Sequence, residues 1–269
     1  MDLKLSGTVA VVVGGANGIG LAIARGFAQE RADVALLDID TGVSEAAKRL
    51  GDDLHVRSMG LVCEIARFES VTEAALTVRS QLGRVDHVVH TAAVGSGKFG
   101  YPFLNLSPAD WAHVLDVNVR GSVHVAHAFA PLLIEARRGS FLFLASVAGQ
   151  IGSQTDPPYS ASKAALINFS QCVAKDLAPH GVRANSLCPG MVKTALNRSM
   201  WAAWNLRQPP DQRRPFEDWA GDKVRQVVPL GRWQDPEDIA NMAVFLASDC
   251  AKNVTGQTIN VDGGYVMHW

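Results

Sequence analysis

An α/β fold, one doubly wound parallel sheet with helices on both faces, is the class this sequence predicts. Three observations carry it. Short apolar runs alternate with longer segments whose apolar residues recur at helical spacing. The first apolar run leads straight into a glycine-rich turn and then a helix-like stretch. The chain has 269 residues, 48% of them hydrophobic, which is enough for one large core. Residues 1–269 are therefore expected to form a single domain.

Taken in order, Val9 to Val13, Val34 to Leu37, Val85 to Val89, Phe141 to Leu144 and Val182 to Leu187 read as buried strands, with Thr258 to Val261 as a shorter last one. Ile19 to Glu30, Phe68 to Gln81 and Tyr159 to Leu177 are among the helical segments between them. Ligands of such sheets bind beyond the carboxyl ends of the strands, near the point where strand order reverses. Asn197 to Trp219 breaks the rhythm, being rich in Trp, Arg, Gln and Pro. It is too long for an ordinary connection, so residues 195–225 read as a substrate lid or insertion within the domain. The plainer alternative is a surface excursion packed on a neighbouring subunit.

Lys and Arg number 25 against 26 Asp and Glu, a formal charge of −1, and the signs are interspersed. That balance removes nucleic acid and anionic membrane as expected partners. No apolar run approaches the ~20 residues of a spanning helix. The segment from Met1 to Gly7 lacks the blocks of a signal peptide. Cys63, Cys172, Cys188 and Cys250 show no metal-ligand or redox spacing, and no metal site is expected. A cytoplasmic protein with a small-molecule substrate is the expectation.

Gly14, Gly18 and Gly20, with Asn17 and Ile19, form a turn that opens the first helix. Glycines there let the backbone approach a pyrophosphate, and the helix N-terminus offers it unpaired N–H groups. Asp38 ends the second strand, where a carboxylate accepts the hydroxyls of an adenosine ribose and repels a 2′-phosphate. No Arg or Lys immediately follows it. The expected cofactor is therefore NAD rather than NADP. The plain alternative for Asp38 is strand termination.

Tyr159 and Lys163 are four apart, so on a helix they share a face. An adjacent ammonium favours the phenolate and is expected to lower the phenol's pKa from its usual ~10. Such a tyrosine serves as general acid or base. Ser146 follows the strand Phe141 to Leu144 and can hold a substrate oxygen beside the phenol.

With these motifs the chain resembles the short-chain dehydrogenase/reductase family over nearly its whole length, least in Asn197 to Trp219. The resemblance implies a Rossmann-like fold and a catalytic set of Asn118, Ser146, Tyr159 and Lys163. Tyr159 would be the acid/base and Ser146 would hold the substrate oxygen. Lys163 would bind the nicotinamide ribose and tune the tyrosine, while Asn118 would keep a water in the proton relay. It further implies nicotinamide contacts from Pro189, Gly190, Val192 and Thr194, adenine-side contacts from Glu64 and Ile65, and a cofactor contact from Ala92. A homotetramer or homodimer is implied as well. Val13 stands where the family usually has threonine, and His90-Thr91-Ala92-Ala93 where it usually has Asn-Asn-Ala-Gly. His90 is then either a polar substitute for the first asparagine or a packing residue.

Gln150, Gln154, Trp201 and Trp204 are the substrate candidates. The loop before Tyr159 is rich in hydrogen-bonding groups, and tryptophan offers a broad face to sugar C–H groups. With the cofactor motif they point to hydride transfer between NAD(H) and a secondary alcohol or ketone, such as a polyol or sugar. Hydrophobic cyclic or aromatic alcohols are the alternative, as are a non-catalytic NAD(H)-sensing relative and an epimerase or dehydratase. His124 and His127 are three apart, a spacing that can hold a metal, though no third ligand is near in sequence.

Overall fold

The computed structural model describes residues 2–153 and 155–268. Seven parallel strands form one sheet in the order β3-β2-β1-β4-β5-β6-β7. They are β1 (Val9–Val13), β2 (Asp33–Asp38), β3 (Ser58–Val62), β4 (His87–His90), β5 (Gly139–Leu144), β6 (Val182–Pro189) and β7 (Thr258–Val261). The helices are α1 (Gly18–Gln29), α2 (Val43–Leu54), α3 (Phe68–Leu82), α4 (Ala109–Leu115), α5 (Gly121–Ala136), α6 (Pro157–Leu177), α7 (Ala195–Leu206), α8 (Phe216–Val227) and α9 (Pro236–Ala247). None of the described helices is long and apolar enough to cross a membrane.

Alternation along each strand sends side chains to two cores. Val11, Val13, Leu37, Val88, Phe141 and Phe143 pack beneath α3, α5 and α6. Ala10, Val12, Leu36, Val89, Leu142 and Leu144 pack beneath α1, α2 and α9. Burial on both faces is why these strands read as continuous apolar runs. The order reverses between β1 and β4, which places the switch point directly beyond Val13 and His90.

Three elements differ from the sequence expectation. β3 lies outside the expected strands because Ser58-Met59-Gly60 is neither an apolar run nor a clean alternation. Gly60 is required there, since a Cβ would meet the Val43 carbonyl at 2.3 Å. β4 starts at His87 rather than Val85, because Asp86 turns its carboxylate back to accept the Val9 N–H at 2.9 Å. The stretch from 195 to 227 is two helices, α7 and α8, joined through a single 3-10 turn at Pro210–Gln212.

Candidate active site

The glycine loop leaves β1 and turns into α1. Gly14 has φ +83° and Gly18 φ +53°, conformations that side chains disfavour. A Cβ on Gly20 would meet the Gly14 carbonyl at 1.9 Å, whereas one on Gly18 would meet open space. Asn17, at the helix N-cap, makes no side-chain capping bond. The N–H groups of the first turn are thus left facing an open cradle, which fits a pyrophosphate. Asp38 closes one side. Its Oδ2 accepts the Ala16 N–H at 3.0 Å and its Oδ1 the Asp40 N–H at 3.0 Å. Beyond β3, Glu64 is exposed and Ile65 is buried, and Ile65 holds the His124 ring at 2.8 Å through its carbonyl. His124 and His127 both lie against Phe68.

Beyond β4 the departures from the family pattern find a physical account. Thr91 Oγ1 donates to the carbonyl oxygens of Val13 and Gly14, at 2.8 and 3.0 Å. It supplies, from the residue just past β4, a side-chain tie that a valine at position 13 cannot make. Ala92 donates its N–H to the Val13 carbonyl at 3.1 Å, and a Cβ on Gly14 would meet that nitrogen at 2.6 Å. His90 is a packing residue. It is 1% exposed, neither ring nitrogen has a partner among the described residues, and its edge meets Phe143.

Asn118 lies in a π-helical turn, Asp116–Arg120, between α4 and α5. Its Oδ1 accepts the Val94 N–H at 2.8 Å, and its Nδ2 donates to the Val94 carbonyl and Ser162 Oγ, both at 2.9 Å. The side chain therefore clamps the segment after β4 to α6. The widened turn carries no sequence signature that hydrophobic periodicity detects.

Ser146 and Tyr159 line one cavity of about 380 Å³, with Ile19 from α1 and Pro189, Gly190, Val192 and Thr194 from the end of β6. Lys163 stands behind the phenol, its Nζ 5.4 Å from the ring centroid, and donates to the Leu144 carbonyl at 2.6 Å. The expected lowering of the phenol does not occur in this environment. Burial pushes Tyr159 up to about 12, although the Ser146 hydroxyl pulls the other way. Burial also brings Lys163 down to about 8. Desolvation disfavours both charged forms, so the buried pair begins as a neutral phenol beside an ammonium of reduced basicity. Cys188 adjoins them as a neutral thiol, pushed up to about 12 by burial.

The substrate candidates fare differently. The Gln150 amide exchanges hydrogen bonds with Asn260, at 2.7 and 3.0 Å, and its Oε1 meets His268 at 3.2 Å. It fastens the C-terminal segment, and it lines the groove beside the cavity rather than the cavity itself. Gln154 lies outside the described residues. Trp201 donates Nε1 to the Arg214 carbonyl at 3.0 Å and packs on Phe216, while Trp204 packs on Trp219. These tryptophans bind α7 to α8. The cavity wall is built instead from Asn197, Met200 and Lys223. An aromatic stripe and its hidden neighbours look alike in sequence, so nothing in the pattern singled out Lys223. A shallower apolar groove of about 630 Å³ adjoins the cavity at Ile151–Ser153, lined also by Tyr101 and Phe103.

Comparison with known proteins accords with this geometry. The family whose profile matches residues 14–266 is described as enoyl-(acyl carrier protein) reductase. D-threitol dehydrogenase of Mycolicibacterium smegmatis is 34% identical, covering 99% of this chain and 95% of that protein. The 3-oxoacyl-[acyl-carrier-protein] reductase of Aquifex aeolicus is 32% identical, covering 98% and 99%. The crystal structure of L-sorbose reductase from Gluconobacter frateurii, complexed with NADPH and L-sorbose, superposes with a TM-score of 0.90 at 29% identity over the whole of both chains.

Proposed function

The chain belongs to the short-chain dehydrogenase/reductase family of oxidoreductases, and we propose that within it this protein is an NAD(H)-dependent dehydrogenase of a polyol or sugar. The observation that carries the reading is the joint placement of Ser146 and Tyr159 on one cavity wall, with Lys163 behind them. Support for the substrate class comes from the likeness to a threitol dehydrogenase and an L-sorbose reductase. Support for NAD comes from Asp38, whose carboxylate already accepts the Ala16 N–H. A 2′-phosphate near it would meet that negative charge, and Asp38 makes no ion pair with an arginine or lysine among the described residues.

The cradle of Gly14, Gly18 and Gly20 would hold the dinucleotide's phosphates, with Asp38 at the ribose. Glu64 and Ile65 would sit on the adenine side, Ala92 against the cofactor beside the glycine loop, and Pro189, Gly190, Val192 and Thr194 at the nicotinamide. When bound, the nicotinamide supplies the acceptor or donor of the hydride. The chain's own residues orient the substrate and handle the proton. Ser146 Oγ would hold the substrate oxygen. Tyr159, protonated in this buried setting, donates its phenolic proton to a ketone oxygen; in reverse, the phenolate takes a proton from the alcohol. Below about pH 8, where Lys163 carries its proton, the ammonium favours that phenolate. Asn118 fixes α6 and so the aim of Tyr159. Because the phenol sits high, alcohol oxidation should climb through the alkaline range. Residues 195–225 would cover the bound substrate, and the protein would work as a cytoplasmic homotetramer or homodimer.

Steady-state kinetics with NAD+ and NADP+ against a panel of tetritols, pentitols, hexitols and cyclic alcohols tests both halves. A kcat/KM at least about tenfold higher with NAD+, on a polyol, is expected. Equal or better turnover with NADP+ overturns the cofactor assignment. Turnover confined to the cyclic alcohols overturns the substrate class.

A further inference from the structure

The cavity contains one cation that the reaction does not use. Among its described lining residues, Lys223 is the sole basic side chain and Asp156 the sole carboxylate. Lys223 comes from α8, is partly buried, and places Nζ 5.0 Å from the centroid of the Trp219 ring. That ring is its one electrostatic partner among the described residues. Two acidic residues of α8 have arginine partners. Asp222 is taken by Arg214 and Arg225, and Glu217 faces Arg198 at 3.8 Å. Asp156 Oδ2 accepts the Ser96 N–H at 2.8 Å, and its buried Oδ1 has no hydrogen-bond partner among the described residues.

An ammonium drawn out of water without a counter-ion is costly. Burial holds Lys223 below the ordinary lysine range. A face-on tryptophan offsets part of that cost and leaves the three N–H donors free for a partner. On a surface helix a lysine of this kind turns outward beside its acidic neighbours. Here the neighbours go to arginines, and the lysine goes to the cavity that holds Ser146 and Tyr159.

We infer that Lys223 receives an oxyanion group of the substrate, a carboxylate or a phosphate set away from the reacting carbon. The preferred substrate is then an acidic derivative of a polyol rather than a neutral one, an inference that rests on the polyol reading above. Lys223 acts here as a specificity residue and takes no part in the proton transfer.

The experiment compares, with saturating NAD+, a neutral pentitol, the matching aldonate, the matching terminal phosphate ester, and cyclohexanol. The aldonate or the phosphate ester should exceed the pentitol in kcat/KM by about tenfold or more, and which of them does so tells carboxylate from phosphate. Lys223→Met should shrink that ratio by about tenfold, and Lys223→Arg should restore most of it. Anionic and neutral members turned over equally by the unaltered protein would overturn the inference and leave the polyol reading standing. So would a Lys223→Met effect on the KM for NAD+ that leaves the ratio alone, since the lysine would then serve the dinucleotide's phosphates. Turnover of cyclohexanol alone would remove the polyol reading, and this inference with it. Should Lys223→Met fail to fold, the comparison in the unaltered protein still decides.

Discussion

The cavity has two walls of opposite construction. One is made by the ends of β5 and β6 with α6. There Phe143 and Leu187 are completely buried, Lys163 and Ser162 are sealed in, and Asn118 ties the elements together. The other is the α7–α8 hairpin. Among its residues with described burial only Met200, Ala220 and Val224 are buried, and ion pairs such as Arg198–Glu217 are largely exposed. Aromatic contacts among Trp201, Trp204, Phe216 and Trp219 hold it together. A wall that must aim a proton is packed like a core, because side chains in a dense interior have one arrangement. The α7–α8 wall is hung on fewer buried contacts, which suits the substrate-selecting role proposed for it.

That contrast breaks most sharply at Tyr159. Tyr159→Phe should cost about 10³-fold in kcat with the melting temperature unchanged. A loss smaller than about tenfold, measured under saturating substrate, would move the proton chemistry off this wall.

A second break is by pH, since the packed half carries two buried histidines. His87 and His90 are both held down at about 3 by burial, against about 6.5 in an unfolded chain. The unfolded state therefore takes up protons first. The histidines' contribution to stability is whole above about pH 6.5 and is lost as the pH falls from there towards 3. Near pH 5 the loss is roughly 2 kcal/mol for each. Denaturant melts at pH 7 and pH 5 should show this drop, and His90→Leu should remove about half of it. A drop of the same size in the variant would show that His90 is not the group responsible.

The hairpin gives the smallest effect. Trp204→Ala loosens α7 from α8 and should raise the substrate KM severalfold, with kcat changed little. An aromatic pair of this kind is worth about 1 kcal/mol, so the global melt should scarcely move. A melt lowered as much as by a core truncation would make the hairpin part of the same cooperative unit as the sheet.

Much of the rigid wall was legible in the chain. The strands announce themselves as valine and leucine runs, and the glycine loop, Asp38 and the Tyr159–Lys163 spacing are local patterns that need no partner to be read. β3 escaped because a two-faced edge strand with Gly60 has no periodic signature. Thr91 escaped because its role depends on β4 lying against β1. The hairpin misled for a related reason. Its tryptophans suggest a pocket, yet Trp201 packs on Phe216 and Trp204 on Trp219, and Gln150, which lines the adjoining groove, bonds Asn260 from the far end of the chain.

What the sequence determined by itself, then, was the parallel α/β sheet, the order of its main elements and the residues that meet at the carboxyl ends of its strands. Those follow from local periodicity and fixed spacing along one element. Only the tertiary structure decided the protonation bias of Tyr159 and Lys163, the packing of His90, and the turn of Lys223 into the cavity. Each depends on how much water and which distant groups surround a side chain, and burial is a property of the assembled fold.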